Sequence, residues 1–498
     1  MLVAVGASRV NVRHSWAPFA GIIALTIAVR LPFFFPAVID WDESTFILLG
    51  QCLLDGHLPY THLWDVKPPL LFGFFAAAIS LVGHSIIGIR AAGAVCVAAT
   101  GWITYLIVVR TARASAAWFS AALVVVLSSL ISSGQATMSE HVMLPALMGA
   151  VWLWQAPDRS RRTYFWMGVL VAVATLVRLN IALTAVAFTV LIGIEAVRSR
   201  SVRRADAWLA FCAGGLAVVA LVSLPFALAG ELPLLWRSAV VAPLVRAEIP
   251  VPGGPLLDLV RIGFITDETH GVFWLATFAW CAAVAGFLVA RNYSLAFIAA
   301  SVCAGMAVSG TSSQHYFIQI VPFAAVLCAP LLNHHARRVR IAVWMLASAA
   351  AVASLGPVAT EYRAVASSLR RGEALKGGAA YEIAAYLQRE NTERRPVLLL
   401  IDHVAHWLTR SEPVTRFATP PSTLSRPHVL RVMGTTPRAE LIDIFARAPE
   451  FVVIWRETMF LEPADQSWVE SVLARDYAAP IDMGDRRLYR RIRSAEGR

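Results

Sequence analysis

The chain has 498 residues, of which 58% are hydrophobic and only 15% are charged, and its formal net charge is +11. This composition is too apolar for a soluble globular protein of that length, and it predicts an integral membrane protein. The positive charge does not indicate nucleic-acid binding, because most arginines lie in short clusters between apolar segments, as in the cytoplasmic loops of membrane proteins.

In chain order, eleven apolar segments are candidate membrane spans. They are residues 16–37, 88–109, 116–134, 141–156, 164–178, 180–197, 207–229, 272–290, 293–310, 316–333 and 341–357. Basic clusters fall in every second connection, beginning with Arg9 and Arg13. The positive-inside rule therefore predicts a multi-pass protein of the cytoplasmic membrane with a cytoplasmic N-terminus and two large outer loops, 38–87 and 230–271.

Two segments test this count of spans. The apolar run from Pro68 to Val82 would reverse the side of every later basic cluster if it crossed the membrane, so we interpret it as an interfacial or re-entrant helix. The run from Tyr164 to Val197 is too long for one span. We predict two short spans that are separated at Arg178-Leu179-Asn180.

Beyond residue 357 the composition becomes polar. Strand-like runs at 397–401, 451–455 and 488–492 alternate with helical patterns at 379–389 and 438–447. We therefore predict a mainly α protein with two domains: a membrane helical bundle at 1–357 and a small extracytoplasmic α/β domain at 358–498.

The first outer loop concentrates the acidic residues of the membrane half. It contains Asp40, Asp42, Glu43, Asp55 and Asp65, arranged around Gly-His-Leu-Pro-Tyr and Trp-Asp-Val-Lys-Pro-Pro-Leu motifs. Lys67 is one of two lysines in the chain, beside Lys376, and the proline after it ends any preceding helix. The lysine is therefore expected at the mouth of the next apolar helix.

An Asp-Glu pair after the first span, followed by Gly-x-x-Pro-Tyr and Lys-Pro-Pro-Leu, resembles the GT-C glycosyltransferases. Within that superfamily the pattern is similar to the protein O-mannosyltransferases and the lipid A aminoarabinose transferases. The resemblance continues at Gly168 to Asn180, at His315-Tyr316-Phe317 and in the trailing domain. It implies a GT-C membrane bundle that takes a sugar from a polyprenyl phosphate carrier at the outer face.

The resemblance also implies roles for individual residues. Asp42 is expected to accept the proton of the acceptor hydroxyl, which agrees with the need for a carboxylate near the anomeric carbon. Glu43 is placed with it as a catalytic candidate, either holding Asp42 or facing water. The alternative is that the Asp-Glu pair only caps a helix at 44–54.

Cationic and polar residues are expected to bind the donor. Lys67 and Arg178 are the predicted phosphate ligands, and the alternative for Arg178 is a snorkelling side chain at the end of a span. Tyr60 and His315 are further donor-binding candidates, and His315 can equally be structural. Asp65 and Glu140 are expected to bind the sugar or the acceptor; no metal ligand is assigned, although a divalent ion remains possible.

The predicted function is an inverting transfer of a sugar from a polyprenyl-phosphate carrier to a lipid, polysaccharide or protein of the cell envelope. The alternative is a polytopic lipid transporter or flippase without transferase chemistry, but such proteins place ionisable groups near the bilayer midplane. A membrane scaffold would not explain the dense first loop. The sequence leaves open the donor sugar, the acceptor and the oligomeric state.

Overall fold

The computed structural model of the chain describes residues 16–199, 202–247, 272–309 and 313–492, together with Arg261. Arg9 and Arg13, and most of the predicted outer loop 230–271, lie outside the described residues.

The first part of the chain forms a bundle of apolar helices. In chain order these are α1 (Ala17–Arg30), α2 (Trp41–Leu54), α3 (Pro69–Val82), α4 (Ile86–Val108), α5 (Ala114–Leu130), α6 (Ser139–Trp154), α7 (Arg161–Val177), α8 (Ala182–Ser199), α9 (Val202–Leu228), α10 (Leu232–Trp236), α11 (Ala242–Ala247), α12 (Phe273–Ala290), α13 (Tyr293–Val308), α14 (Val321–Leu332) and α15 (Arg337–Ser354).

Each of the eleven predicted spans coincides with a helix of this bundle: α1, α4 to α9, and α12 to α15. Among the described residues, six helical stretches are long and apolar enough to cross a membrane by length and composition. The chain is therefore a multi-pass membrane protein. α3 is a helix of 14 residues, or about 21 Å, which is shorter than the hydrocarbon core of a bilayer.

The predicted interruption at residues 178–180 is confirmed. α7 ends at Val177, Arg178 is extended, and a 3₁₀ turn follows from Leu179 to Ile181. The turn packs against Gly305 of α13, where an added Cβ would lie 2.4 Å from the carbonyl oxygen of Asn180. A side chain larger than hydrogen is thus excluded at that crossing.

The membrane bundle passes into the polar region without a loop at the predicted boundary. α15 is followed directly by α16 (Gly356–Arg371). The remaining helices are α17 (Ala379–Glu390), α18 (Val404–Thr409), α19 (Pro420–Leu424), α20 (Pro427–Val432), α21 (Pro437–Ala446) and α22 (Pro463–Asp476).

The polar region contains a small sheet with strand order β1-β2-β4-β3. Its strands are β1 (Val397–Leu399), β2 (Phe451–Trp455), β3 (Ile481–Met483) and β4 (Arg486–Arg490). β1 pairs with β2 in parallel, and the other pairs are antiparallel. The predicted α/β character is confirmed, with β3 as a strand that the sequence pattern did not indicate.

The polar region also packs on the first long loop of the bundle. The backbone N–H of Trp64 donates to the carbonyl of Arg416 at 2.7 Å, and the N–H of Ala418 donates to the carbonyl of Trp64 at 3.2 Å. Because the Trp64 side chain is buried at this contact, loop 38–87 is fixed between the two parts of the chain.

Candidate active site

The predicted catalytic residues Asp42 and Glu43 lie at the start of α2. The side chain of Asp40 caps this helix by accepting a hydrogen bond from the N–H of Asp42 at 2.8 Å. Asp42 and Glu43 occupy the first turn, where the helix dipole favours negative charge. The cap is therefore Asp40, and not the Asp-Glu pair as the alternative interpretation of the sequence had it.

Asp42 faces Lys67. Its Oδ2 atom lies 3.3 Å from the Lys67 Nζ atom, and the side chains are 38% and 14% exposed, so the carboxylate is accessible beside a largely covered ammonium. The ammonium also lies over the ring of Phe46, 5.6 Å from its centroid.

Lys67 is held by both of its backbone groups. Its N–H donates to Oδ1 of Asp65 at 3.0 Å, and its carbonyl accepts from the Tyr60 hydroxyl at 2.6 Å. Pro68 follows as the N-cap of α3, which places the lysine at the mouth of that helix as predicted. Tyr60 is buried with its hydroxyl engaged, so we assign it to holding this loop in place of the donor contact predicted from sequence.

A second ion pair lies in the same region. Arg178 Nη1 is 2.8 Å from Oε1 of Glu140, and the guanidinium lies over the ring of Tyr316 at 4.2 Å from its centroid. Ser139 accepts from Arg178 at 2.7 Å and donates to Glu140 at 3.0 Å. His315 Nε2 is 3.8 Å from Glu140 Oε1. With its side chain only 6% exposed, Arg178 is not a snorkelling residue.

Glu43 forms a third ion pair, with Arg90, and does not contribute to the accessible carboxylate of Asp42. Its Oε2 atom accepts from Arg90 at 2.9 Å, and its Oε1 atom accepts from the N–H of Thr137 at 2.7 Å. Glu43 is 2% exposed and Arg90 is fully buried. Glu43 therefore does not face water, and its acceptor atoms are used; we assign it a structural role in place of the predicted catalytic one.

Opposing effects set the charge of the residues in this loop. Burial disfavours the charged form of Asp42, but Lys67, His315 and Arg246 outweigh it and hold the pKa of Asp42 well below its usual range. Burial opposes the charged form of Lys67 as well, yet Asp42 raises the pKa of the ammonium. Burial raises the pKa of both Asp40 and Asp65. Asp42 is thus the carboxylate most firmly ionised.

A cavity of about 320 Å³ adjoins these residues. Lys67, Arg178 and Arg246 supply its cationic lining, and Tyr316 contributes an aromatic ring. The rest of the lining is mostly apolar and comes from α8, α11 and α13, including Leu183, Leu244 and Val308. A cavity with clustered cations and an apolar wall suits an amphiphile with an anionic head.

Residues of the polar region reach this site, and sequence reasoning missed them. His403 Nε2 lies 3.0 Å from the Thr45 hydroxyl and 3.2 Å from the carbonyl of Trp41, at the first turn of α2. Burial, followed by repulsion from Arg246, lowers the pKa of Arg426 to about 10. The weak signal for Arg426 is that it precedes a proline, as Lys67 does.

The described residues also bear on metal binding. In this part of the chain no three His, Cys, Asp or Glu side chains form a group that could hold a metal ion. The divalent ion that the sequence left possible stays a prediction.

Comparisons with known proteins agree on one fold. Residues 66–224, which include Lys67, Glu140 and Arg178, match the family model described as dolichyl-phosphate-mannose-protein mannosyltransferase. No curated protein matches the chain by sequence.

Among solved structures, ArnT from Cupriavidus metallidurans bound to undecaprenyl phosphate is similar with a TM-score of 0.62 and 12% identity, covering 97% of this chain and 100% of that one. Its apo form gives a TM-score of 0.61 over 95% and 97% of the two chains, also at 12% identity. The apo oligosaccharyltransferase of Archaeoglobus fulgidus gives 0.50 at 13% identity, covering 97% of this chain and 74% of that one. At such identities the likeness is one of fold.

Proposed function

We propose that this chain is a membrane glycosyltransferase of the GT-C superfamily. In this proposal it transfers a sugar from a polyprenyl-phosphate carrier to a hydroxyl acceptor of the cell envelope. The observation that carries the proposal is the adjacency of an accessible, ionised carboxylate, Asp42, to a cation-lined apolar cavity. A carboxylate can take the acceptor proton, and the cations can hold the leaving phosphate.

The donor has an anionic phosphate and an apolar polyprenyl chain, and the cavity offers a matching surface to each. Lys67, Arg178 and Arg246 face the phosphate, since lipid phosphates at a membrane surface need cations and arginine binds them bidentately. The apolar wall of α8, α11 and α13 receives the first isoprene units. Undecaprenyl phosphate is the ligand in one of the similar ArnT structures, and this supports the assignment.

The proposed transfer is a single displacement at the anomeric carbon of the sugar. The acceptor oxygen forms a bond to the anomeric carbon while the bond from that carbon to the phosphate oxygen breaks. The acceptor proton passes to the carboxylate of Asp42, and the electron pair leaves with the polyprenyl phosphate, whose charge Lys67 and Arg178 stabilise. One displacement inverts the anomeric configuration.

His315, Glu140 and Asp65 lie around this reaction in supporting positions. Glu140 is fully buried and orients Arg178 by its ion pair, and His315 lies beside it. Asp65 fixes the backbone of Lys67. We propose that these residues position the two phosphate ligands, and that the reaction takes place at the outer face of the cytoplasmic membrane.

The experiment is a transfer assay with the purified protein in proteoliposomes, supplied with polyprenyl-monophosphate sugars or nucleotide sugars and an envelope extract as acceptor. The proposal predicts release of polyprenyl phosphate and a product of inverted configuration by NMR. Direct use of nucleotide sugars, retention of configuration, or movement of the intact glycolipid across the bilayer without cleavage would contradict it. The last result is the one expected of the alternative, a flippase.

A further inference from the structure

A second large cavity lies at the other end of the bundle. Its volume is about 770 Å³, and it is formed where α4 and α6 end and α13 begins, beside the last turns of α8. Three arginines line it, Arg110, Arg159 and Arg198. The proposed transfer reaction uses none of them.

The two cavities share two helices at opposite ends. Ala182 and Leu183 of α8 line the donor cavity, whereas Glu195 and Arg198 of the same helix line the second one. Ala182 and Arg198 are separated by about 24 Å along the helix axis, which approaches the thickness of the hydrocarbon core. α13 repeats the arrangement, with Val308 at the first cavity and Tyr293 at the second. The second cavity therefore faces the opposite surface of the membrane.

Charge in this cavity is only partly compensated by its own residues. Arg159 is paired with Glu195 at 2.8 Å and lies over the Trp154 ring, 4.3 Å from its centroid. Arg110 donates a hydrogen bond to the carbonyl of Trp152 at 2.7 Å, and its guanidinium stacks over the side-chain ring of Trp152. Neither contact neutralises Arg110. Among the described lining residues three arginines thus face one glutamate.

Apolar and aromatic groups adjoin these arginines. Leu191, Ile194 and Phe297 line the same cavity, and the Ile194 and Phe297 side chains are 41% and 44% exposed. Trp154 and Tyr293 lie at the same level, as aromatic residues do at membrane interfaces. An anionic head at the arginines and acyl chains along these side chains would satisfy both parts of the surface.

We infer that this cavity binds an anionic phospholipid, through its phosphate at Arg110 and Arg198 and its acyl chains along Leu191, Ile194 and Phe297. The site is separate from the donor site and does not depend on the transfer reaction. By the positive-inside pattern it lies in the cytoplasmic leaflet, where anionic lipids supply the matching charge.

The test measures binding of fluorescent phosphatidylglycerol to the full-length protein in detergent micelles. Each arginine that contacts the lipid head should strengthen binding about fivefold, so the double variant Arg110→Ala/Arg198→Ala should bind about 25-fold more weakly. The matched control is Arg337→Ala/Arg338→Ala at the exposed start of α15, at the same end of the bundle but outside the cavity, and it should bind as the wild type does.

Three results would overturn the inference: equal affinity for phosphatidylcholine, equal loss in the control variant, or displacement of the lipid by millimolar inorganic phosphate, which would show a free-phosphate site. The variant Arg110→Lys/Arg198→Lys should retain most of the binding. Gel filtration and thermal unfolding in detergent report whether each variant is folded. If the alanine variant does not fold, the lipid preference of the wild type and its response to phosphate decide the question.

Discussion

The ion pair between Asp42 and Lys67 has to loosen when a lipid phosphate enters the cavity. In the structure the two charged groups are 3.3 Å apart. Once phosphate oxygens accept hydrogen bonds from the ammonium, Lys67 lowers the pKa of Asp42 less, and the carboxylate becomes a stronger base. Donor binding would therefore prepare the base for the acceptor proton.

This coupling predicts the pH dependence of transfer. The pKa of Asp42 lies below its ordinary value of 3.8 because its cationic neighbours outweigh burial, so Asp42 should impose no loss of kcat/KM between pH 7 and about pH 5. In Lys67→Gln burial is opposed by fewer charges, and the pKa of Asp42 rises. The acid limb of kcat/KM, measured in single turnovers, should then move to higher pH.

The control for this measurement is Lys67→Arg, which keeps the positive charge and should leave the acid limb near its original place. An acid limb at the same pH in Lys67→Gln and in the wild type would show that Lys67 does not set the charge of Asp42.

Glu43 and Asp42 are adjacent in sequence, yet replacing Glu43 should lower the stability of the fold, whereas replacing Asp42 should lower the rate of transfer. Glu43→Ala leaves Arg90 fully buried without its carboxylate, and breaking such a pair costs about 3–5 kcal/mol. Thermal unfolding in detergent should show a large loss of stability. Glu412→Ala, at a side chain that is 77% exposed, should change stability by about 0.5 kcal/mol or less. Equal melting temperatures of the two variants would contradict the structural assignment of Glu43.

The sequence was informative about the site where its residues are close in the chain. Asp42 and Lys67 stand in one loop, and the motif predicted both as site residues, whereas their ion pair is seen only in the structure. Arg246 on α11, and His403 and Arg426 in the polar region, come from distant segments. Only the folding of the whole chain brings them to the site. Burial of Glu43 could not be predicted either, because its partner Arg90 lies on another helix.

At the scale of elements, the contact between α2 and α3 sets the distance between the two site residues. α2 begins just before Asp42, and α3 begins just after Lys67. The helices touch at Gly50, where an added Cβ would lie 2.7 Å from the Cβ of Phe75 and 2.9 Å from the backbone of Ala76.

Gly50→Ala should therefore separate these helices. Overpacking of this kind costs about 1–3 kcal/mol, and the displaced helices would also widen the Asp42–Lys67 pair, so both the melting temperature and the transfer rate should fall. The matched control is Gly73→Ala on α3, where an added Cβ meets nothing within 4 Å. Equal effects of the two substitutions would contradict this account of the helix contact.

The elements themselves were largely predictable. Long apolar runs gave the helices of the bundle, and the change in composition gave the polar α/β region. β3 was missed because it has three residues, one of them Asp482, and lacks an apolar alternation. Arg178 and Asn180 indicated the break between α7 and α8, but not the close packing on Gly305.

At the scale of the whole molecule, the three ion pairs of the candidate site lie at one end of the bundle, next to the polar region. They are Asp42–Lys67, Glu140–Arg178 and Glu43–Arg90. The helices that carry them run to the opposite end, where the second cavity lies. The positive-inside pattern predicts which end faces the cytoplasm, and the function proposed here requires the donor end to face outward.

This orientation is testable with a variant in which the six cysteines are replaced and single cysteines are introduced. Glu412→Cys in the polar region should react with a membrane-impermeant maleimide in intact spheroplasts. Arg338→Cys at the start of α15 should react only after the membrane is opened. The reverse pattern would place the site in the cytoplasm and contradict the proposed outer-face reaction.

The central claim, that Asp42 takes the acceptor proton during sugar transfer, is tested most directly by the rate of transfer from a labelled polyprenyl-phosphate sugar in proteoliposomes. Asp42→Asn keeps the size of the side chain but removes the base, so the rate should fall by about 10²–10⁴-fold. Asp55→Asn, at the C-cap of the same helix, should transfer at the wild-type rate. An unchanged rate in Asp42→Asn, with the protein folded, would contradict the account.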